Sequence, residues 1–334
     1  MMSNSKYSVI IPVYNRPDEI DELLDSLTKQ TFTDFEVLVV EDGSSLKCED
    51  IVSRYADRLN VSYFFKENSG QGFSRNFGFE RAKGEWLIVF DSDCLIPKNY
   101  FKIVDDYLAS HDIDAYGGPD RAAESFTVVQ KAISYSMTSL LTTGGIRGAV
   151  TKVGKFHPRS FNMGIRKEVF EKTGGYIITR KGEDIEFSIR INEHGFKSGL
   201  IQEAFVYHKR RTNFKQFFKQ LHFFGTARIN IGRFYPKQVK LVHMFPSVFT
   251  LGLLILLIAE FYEKKWAMPG LRLYLLYFIA IFLTATGSTE SFRVGLLSVV
   301  ASFVQLTAYG VGFIQELAIS LRDKLLQLTA RQSA

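Results

Sequence analysis

The first 42 residues place two apolar runs of strand length on either side of a helical pattern. Residues 7–15 are typical of a strand that breaks at Pro12, and residues 20–27 repeat apolar side chains at helical spacing. Residues 35–40 form a second, continuous apolar run. A strand, a helix and a strand in this order form a βαβ unit, whose strands run parallel. The sequence therefore predicts an α/β domain built on a mostly parallel sheet.

Carboxylates follow two of the predicted strands. Asp91 and Asp93 come directly after the apolar run at 86–90, and alternate residues of an extended chain face the same side. Asp42 lies at the end of the run that begins at residue 35. Ligands bind at the carboxyl ends of strands in open α/β sheets, and paired carboxylates suit Mg²⁺ or Mn²⁺. The alternative is a simple turn at 91–93 and a helix cap at Asp42.

Two further segments carry polar groups next to helical patterns. Gly70 and Gly72 permit close backbone approach, and Arg75 offers a fork of donors for a diphosphate. The helix that follows presents its amino terminus, which favours phosphate, although such a glycine pair is often only a turn. Asp184 opens another helical pattern after a glycine-containing stretch, where a carboxylate can serve as a general base. A residue that only interacts favourably with the helix dipole is the alternative for Asp184.

Five short strings, taken in order, resemble family 2 glycosyltransferases of the GT-A fold. They are Ser-Val-Ile-Ile-Pro-Val-Tyr-Asn at 8–15, Val-Val-Glu-Asp-Gly-Ser at 39–44, Gly-Phe-Ser-Arg-Asn at 72–76, Asp-Ser-Asp at 91–93 and Gly-Glu-Asp at 182–184. Asn-Met-Gly-Ile-Arg at 162–166 is similar to the acceptor-side segment of that family. The resemblance implies a Rossmann-like, mostly parallel sheet flanked by helices.

The resemblance also implies a role for each matching residue. The donor-binding residues are Pro12, Tyr14, Asp42, Arg75, Asp91 and Ser92, and Asp42 reads the nucleotide base. The ligands of a divalent cation, Mg²⁺ or Mn²⁺, are Asp93, Asp91 and His208. The acceptor-side residues are Asn162 and Glu183, and Asp184 is the general base that deprotonates the acceptor hydroxyl. For His208 a merely hydrogen-bonded histidine is the alternative. Glu41 departs from the family, in which many members carry Asp at that position.

These roles imply a metal-dependent glycosyltransferase that uses a nucleoside-diphosphate sugar. UDP is the expected nucleotide because Asp42 suits uracil, although guanine also offers N–H donors. A single base opposite the leaving group implies direct displacement and inversion at the anomeric carbon. Cellulose-synthase-like relatives hold a growing chain with a Gln-x-x-Arg-Trp string, which residues 220–224 lack, and this favours non-processive transfer. A nucleotidyltransferase and a non-catalytic membrane scaffold of the same fold are the alternatives.

The last third of the chain contains three uncharged apolar runs, at residues 241–259, 273–289 and 294–315. A helix that crosses a bilayer needs ~20 mostly apolar residues, so the runs predict two or three transmembrane helices. Buried helices of a soluble domain are the alternative. Basic residues concentrate between 209 and 240, before the first run, and the positive-inside tendency places that side in the cytosol.

Residues 211–240 combine aromatic and basic side chains, which predicts an amphipathic helix on the membrane surface, with a helix docked on the enzyme core as the alternative. The predicted organisation is a GT-A catalytic domain at 1–210, an interfacial segment at 211–240, two to three transmembrane helices at 241–320 and a basic tail at 321–334. Residues 125–155 are predicted to form either an acceptor-site loop or a linker.

Composition narrows the expected partners and compartment. The net charge of +6 fits attraction to anionic lipid, and basic residues beside apolar runs favour a membrane over nucleic acid. Two cysteines, Cys48 and Cys94, favour a reduced compartment, and the start of the chain shows no secretory pattern. We expect a nucleotide-sugar donor, a lipid-linked or membrane-proximal glycan acceptor and no nucleic acid. The expected location is the inner (cytoplasmic) membrane, with the catalytic domain facing the cytosol. The oligomeric state is not predicted.

Overall fold

The computed structural model describes residues 5–123, 125–143 and 156–332. These residues divide into two compact units. The first contains residues 5–123 and 156–209, and the second contains residues 125–143 and 210–332. Each unit is described by itself below.

The first unit is organised around a seven-stranded sheet. Its strands are β1 (Tyr7–Val13), β2 (Phe35–Asp42), β3 (Val61–Lys66), β4 (Trp86–Phe90), β6 (Ala115–Gly117), β8 (Asn162–Arg166) and β9 (Ser198–Leu200). The strand order is β3-β2-β1-β4-β8-β6-β9. The first four strands are parallel, β8 is antiparallel to both β4 and β6, and β9 is parallel to β6. A second, three-stranded sheet has the order β5-β10-β7, formed by β5 (Cys94–Leu95), β7 (Asp120–Arg121) and β10 (Val206–His208).

Helices cover both faces of the larger sheet. They are α1 (Pro17–Thr28), α2 (Glu49–Ser53), α3 (Gln71–Phe79), α4 (Tyr100–Ser110), α7 (Lys167–Thr173) and α8 (Glu183–Glu193). Successive residues of β1 contribute to different cores, since Val9 and Ile11 lie in one cluster and Ile10 lies in another. A strand buried on both faces needs a continuous apolar run, which explains the composition of β1, β2 and β4. This architecture confirms the predicted α/β fold.

The strand order places a topological switch point between β1 and β4. β2 and β3 lie on one side of β1 and β4 lies on the other, so the chain changes direction between β1 and β4. In open α/β sheets, ligands bind outside the carboxyl ends of the strands at such a switch point. Arg16 follows the end of β1, and residues 91–93 follow the end of β4, so both lie at this switch point.

The second unit is helical. It contains α5 (Val128–Thr138), α6 (Leu140–Thr143), α9 (Phe214–Phe234), α10 (Phe245–Tyr262), α11 (Lys264–Thr289) and α12 (Phe292–Gln332), with 3-10 turns at Pro236–Gln238 and Leu241–Met244. Three stretches are long and apolar enough to cross a membrane: Leu241–Tyr262, Lys264–Thr289 and Phe292–Leu326. Large apolar side chains such as Ile255, Leu273 and Leu275 are exposed on α10 and α11. The predicted C-terminal apolar helices are thereby confirmed, with three candidate membrane-spanning helices.

Helix α12 is the element on which the second unit is assembled. Its candidate span is half buried, against 17% and 11% for those containing α10 and α11. Ala132, Ile133 and Met137 of α5 form a cluster with side chains of α9 and α12 that include Phe217 and Ala301. The segment at 211–240, predicted to lie on a membrane surface, thus contains a helix that packs along α12.

Two glycines let α9 and α12 approach closely. A Cβ atom at Gly225 would lie 2.2 Å from the carbonyl oxygen of Tyr309. A Cβ atom at Gly312 would lie 2.2 Å from the carbonyl oxygen of His222. Because neither separation is compatible with a side chain, both positions require glycine for this packing.

Residues 125–143 belong to the helical unit, although the predicted domain boundary placed them in the catalytic domain. The physical reason is the apolar face of α5, which packs on α12. Tyr135 Oη also lies 2.5 Å from Thr284 Oγ1 of α11. Of the segment predicted to be a loop or linker, residues 144–155 lie outside the described residues.

Candidate active site

Strand pairing brings an imidazole and a guanidinium to Asp93. The segment 91–93 leaves β4 and leads into β5, and β10 pairs antiparallel with β5 so that His208 lies opposite Cys94. His208 Nε2 lies 3.0 Å from Asp93 Oδ1. Arg16, which follows β1, places its Nη1 atom 2.6 Å from Asp93 Oδ2. Three residues from distant parts of the sequence therefore meet at the carboxyl end of the sheet.

One group of side chains in the described part of the chain could hold a metal ion. The ligand atoms of Asp93, Cys94 and His208 lie within 4.8 Å of one another. Burial raises the pKa of the Cys94 thiol well above its ordinary value, and Asp93 and Asp91 raise it further. Thiolates select softer metals such as Zn²⁺, whereas carboxylate suits Mg²⁺ and Mn²⁺ and imidazole is a common ligand of divalent cations. Asp93 and His208 therefore fit a divalent cation.

Asp42 holds the loop in front of α3. Its Oδ1 atom accepts hydrogen bonds from Lys66 Nζ at 2.6 Å and from the Ser69 N–H at 2.8 Å, and its Oδ2 atom accepts one from the Gly70 N–H at 2.8 Å. Burial raises the pKa of the Asp42 carboxyl, but Lys66 and the Ser69 N–H outweigh burial and the pKa is lowered. Asp42 is thus an ionised carboxylate that fixes the chain at Ser69 and Gly70.

One oxygen of the Glu41 carboxylate, in β2, has two hydrogen-bond donors within the fold. Its Oε2 atom accepts hydrogen bonds from the Cys48 N–H at 2.7 Å and from the Tyr63 hydroxyl at 2.9 Å. Adjacent strand residues face opposite sides, so Glu41 and Asp42 serve different faces of the sheet. The departure from the family at Glu41 is therefore accommodated by contacts within the fold.

Arg75 connects the carboxylates after β4 with the carboxylates at the start of α8. It is almost fully buried, at 1% exposure. Its Nη2 atom lies 2.8 Å from Asp91 Oδ1, and its Nη1 atom lies 3.3 Å from Glu183 Oε1. One guanidinium thus connects the end of the β4 strand with the start of α8. Arg75 acts on the site through these two carboxylates, and direct contact of Arg75 with donor phosphates stays a prediction.

Two adjacent carboxylates at the start of α8 have opposite pKa shifts. Burial raises the pKa of Glu183, and the neighbouring Asp184 charge raises it further, although Arg75 opposes both effects. Asp184 Oδ2 accepts a hydrogen bond from Arg159 Nε at 2.6 Å, and Asp184 Oδ1 accepts one from the Ile185 N–H at 2.8 Å. Burial raises the pKa of Asp184, but Arg159, Arg75 and this N–H together lower it. The contacts of Asp184 therefore favour its ionised form, whereas burial disfavours the ionised form of Glu183.

The segment before Asp184 is hydrogen-bonded to the loop that Asp42 holds. Thr179 Oγ1 donates to the Ser69 carbonyl oxygen at 2.7 Å, and the Gly72 N–H donates to the Thr179 carbonyl oxygen at 3.2 Å. A Cβ atom at Gly72 would lie 2.6 Å from the Ile178 carbonyl oxygen. Gly72 therefore allows close backbone approach, as predicted, and the approaching group is the chain itself at Ile178.

The remaining predicted residues occupy the same region with different exposure. Tyr14 is 54% exposed after β1, whereas Pro12 is half-buried within that strand. Ser92 is buried between the two aspartates. Asn162 is fully buried in β8, where its Oδ1 atom accepts a hydrogen bond from the Tyr100 hydroxyl at 2.5 Å and its Nδ2 atom donates to the Ala204 carbonyl oxygen. Contact between Asn162 and an acceptor stays a prediction.

Four residues that hold the site were not identified from the sequence: Arg16, Lys66, Arg159 and Thr179. Arg16 lies one residue after the family-like string at 8–15, and its place at a strand end was an available signal. Arg159 and Thr179 lie in irregular segments without periodicity or motif. Only the folded chain brings them to Asp184 and Ser69.

Comparisons with known proteins show which family this chain resembles. The model of the family described as glycosyl transferase family 2 matches residues 8–174. A protein of Haemophilus influenzae described as an uncharacterized glycosyltransferase is 31% identical over 219 residues, which cover 62% of this chain and 70% of that protein. The poly(ribitol-phosphate) beta-N-acetylglucosaminyltransferase TarS of Staphylococcus aureus is 41% identical over 113 residues, which cover 33% of this chain and 20% of TarS.

A solved structure shares the fold over nearly the whole chain. The mannosyltransferase PcManGT from Pyrobaculum calidifontis, solved in complex with GDP-Man and Mn²⁺, aligns with a TM-score of 0.59 at 16% identity. The alignment covers 95% of this chain and 88% of that one. This likeness confirms the predicted GT-A fold. The family model spans the strand ends that carry Asp42, Asp91 and Asp93, and the chain belongs to glycosyl transferase family 2.

Proposed function

We propose that this glycosyltransferase moves a sugar from a UDP-sugar to a hydroxyl group of a lipid-linked or membrane-proximal glycan. The reaction uses Mg²⁺ or Mn²⁺, inverts the anomeric carbon and adds sugars without processive polymerisation. The catalytic domain works on the cytosolic side of the inner membrane, where nucleotide sugars are available.

The observation that carries the proposal is the pair of contacts made by Arg75. This residue binds Asp91 beside the candidate cation ligand and Glu183 beside the candidate base. A donor held at the strand end and an acceptor held at Asp184 would therefore share one rigid, buried network. Catalysis by positioning depends on such rigidity, because small displacements of the reacting atoms reduce the rate.

The roles of the individual residues follow from their partners. Asp184 is ionised and accepts the proton of the acceptor hydroxyl as that oxygen attacks the anomeric carbon. A divalent cation bound by Asp93 and His208 would neutralise the charge that develops on the departing diphosphate. Asp42 fixes the Ser69–Gly70 loop and has the acceptor capacity to receive a base N–H of the nucleotide.

The membrane setting is supported by the three apolar helices and by the exposed side chains of α10 and α11. A bilayer would cover these side chains, which favours an acceptor near the membrane. The neighbour of similar fold was solved with GDP-Man and Mn²⁺. A nucleotide sugar with a divalent cation is also the combination that we propose for this chain.

A thermal-shift panel of UDP-, GDP- and dTDP-sugars with Mn²⁺ tests the donor, using the full chain in detergent. A donor at 100 times its Kd stabilises the folded state by about 2.7 kcal/mol, and we expect a UDP-sugar to raise the Tm most. A larger shift with a GDP- or dTDP-sugar would contradict the assignment of the base. NMR of the product then tests inversion, and a retained anomeric configuration would contradict the role of Asp184.

A further inference from the structure

Arg16 forms a second ionic contact at the candidate cation site, on the side opposite His208. Its Nη1 atom lies 2.6 Å from Asp93 Oδ2, while His208 Nε2 lies 3.0 Å from Asp93 Oδ1. The Asp93 side chain is only 11% exposed, and that of Arg16 is 28% exposed. Both oxygens of the carboxylate are thus contacted by groups of the protein itself.

The backbone holds Arg16 in this position. Asn15 has a φ of +53°, and its Oδ1 atom accepts hydrogen bonds from the N–H groups of Ser45 and Leu46. Pro17 begins α1 directly after Arg16. Arg16 is therefore fixed between an anchored turn and a helix start, at the switch point between β1 and β4.

The positions of these groups create a conflict for a divalent cation. A cation that binds Asp93 must approach a carboxylate whose Oδ2 atom already contacts a guanidinium, and like charges repel strongly at such distances in a partly buried site. A diphosphate would remove the conflict. Guanidinium groups bind phosphate oxygens through a fork of donors, so Arg16 has a suitable alternative partner when a nucleoside diphosphate is present.

We propose that Arg16 couples the binding of the divalent cation to the binding of the donor diphosphate. Without nucleotide, Arg16 binds Asp93 and weakens cation binding; with nucleotide, Arg16 transfers to the diphosphate and Asp93 binds the cation. This inference rests on the proposed function, since it assumes a nucleoside-diphosphate donor and a cation at Asp93. Coupling between two ligands is reciprocal, so the cation strengthens nucleotide binding by the same factor.

Titration of Mn²⁺ into the full chain, followed by the EPR signal of free Mn²⁺, measures this coupling with and without UDP. If the panel above identifies another nucleotide, its diphosphate replaces UDP. The proteins are wild type, Arg16→Gln, Arg16→Lys and Arg54→Gln. Asp93→Ala gives the background of Mn²⁺ that binds elsewhere on the protein. Arg54 is a matched control, because its Nη2 atom lies 3.3 Å from Asp21 of α1 and both side chains are well exposed.

We expect Arg16→Gln to bind Mn²⁺ alone about 10-fold more tightly than wild type, within the usual range of coupling factors of ~5–150-fold. The factor by which UDP tightens Mn²⁺ binding should fall by a similar amount. Arg16→Lys keeps the charge and should retain weak binding of Mn²⁺ alone, and Arg54→Gln should behave as wild type. A melting curve for each variant excludes unfolding as the cause of any difference.

The outcomes separate the two proposals. If wild type binds Mn²⁺ with UDP and Arg16→Gln has an unchanged affinity for Mn²⁺ alone, the coupling role of Arg16 is wrong and the proposed function stands. If Arg54→Gln changes the Mn²⁺ affinity as much as Arg16→Gln, the effect is one of net charge and the inference is also wrong. If wild type binds no Mn²⁺ with any nucleotide, the proposed metal dependence is wrong, and the coupling role of Arg16 is wrong with it.

Discussion

Two carboxylates of the catalytic unit each bind an arginine at the same distance, yet their surroundings differ. Asp93 and Arg16 are 2.6 Å apart, and so are Asp184 and Arg159. Asp93 has the imidazole of His208 at its second oxygen, and that imidazole belongs to the group of side chains that could hold a metal ion. Asp184 has the Ile185 N–H at its second oxygen, which is part of its own helix start.

The difference shows that an arginine–carboxylate pair does not define a function by itself. The partners of Asp93 are side chains from β10 and from the turn after β1, and side chains can change partners when a ligand binds. The N–H partner of Asp184 belongs to the backbone and cannot be exchanged. We infer that Asp93 suits a ligand that comes and goes with the donor, whereas Asp184 suits a base that stays ionised in place.

The largest expected effect separates the base from the cation site. Asp184→Asn removes the proton acceptor and should lower kcat by ~10²–10⁴-fold, the usual contribution of a general base. Binding of UDP with Mn²⁺, measured by calorimetry, should remain close to wild type. A variant that keeps its kcat would exclude Asp184 as the base.

Asp93→Ala should impair the candidate cation site and leave the candidate base at Asp184 in place. Because we propose Asp93 as the central carboxylate of the cation site, Mn²⁺-dependent binding of UDP should weaken by at least about 100-fold, more than the loss of an outer partner would cause. Asp21→Ala, which removes a carboxylate from the exposed pair with Arg54, is the matched control for calorimetry. Equal weakening in both variants would disprove a specific cation site.

Arg159→Gln tests what the arginine does for Asp184. The folded-state pKa of Asp184 is lowered by Arg159, so removing this residue should raise that pKa. The acid limb of the kcat/KM profile should then move to higher pH by about 1–3 units, the usual effect of one opposite charge. The loss of activity should be greatest in acid and should shrink towards pH 8. Arg159→Lys should move the limb less, and an unmoved limb for Arg159→Gln would contradict this role.

The smallest expected effect concerns the hydrogen bond between the segment before Asp184 and the loop that Asp42 holds. Thr179→Val removes the hydrogen bond to the Ser69 carbonyl oxygen. One such bond contributes about 0.5–1.5 kcal/mol, so kcat/KM should fall by roughly 3–10-fold. Thr179→Ser keeps the hydroxyl and should restore most of the activity. If Thr179→Val lowers only the Tm and leaves kcat/KM unchanged, Thr179 supports stability and does not position the site.

The sequence was sufficient to predict the parallel strands and the carboxylates at their ends. Continuous apolar runs such as residues 35–40 are typical of strands buried on both faces, and the order of motifs placed Asp42 and Asp91 at strand ends. The three apolar helices were equally visible, because length and composition alone identify them.

The contacts made by arginines were not predictable from the sequence. The buried guanidinium of Arg75 binds Asp91 and Glu183, and nothing in the sequence indicated either partner. Arg159 pairs with a carboxylate 25 residues away, and nothing in its local pattern indicates this partner. Residues 125–143 group with the helical unit because of the packing of α5 on α12, which depends on a tertiary contact with a helix that begins at Phe292.

The close packing at Gly225 and Gly312 restricts movement of α9 relative to α12. A helix attached to a bilayer only by its apolar face can change its depth and tilt as the lipid composition changes. Here the backbones of α9 and α12 touch at two places, and a side chain at either place would force them apart. If α12 tilts or shifts in a bilayer, α9 must move with it. The depth of the aromatic and basic residues of α9 therefore depends on the position of α12.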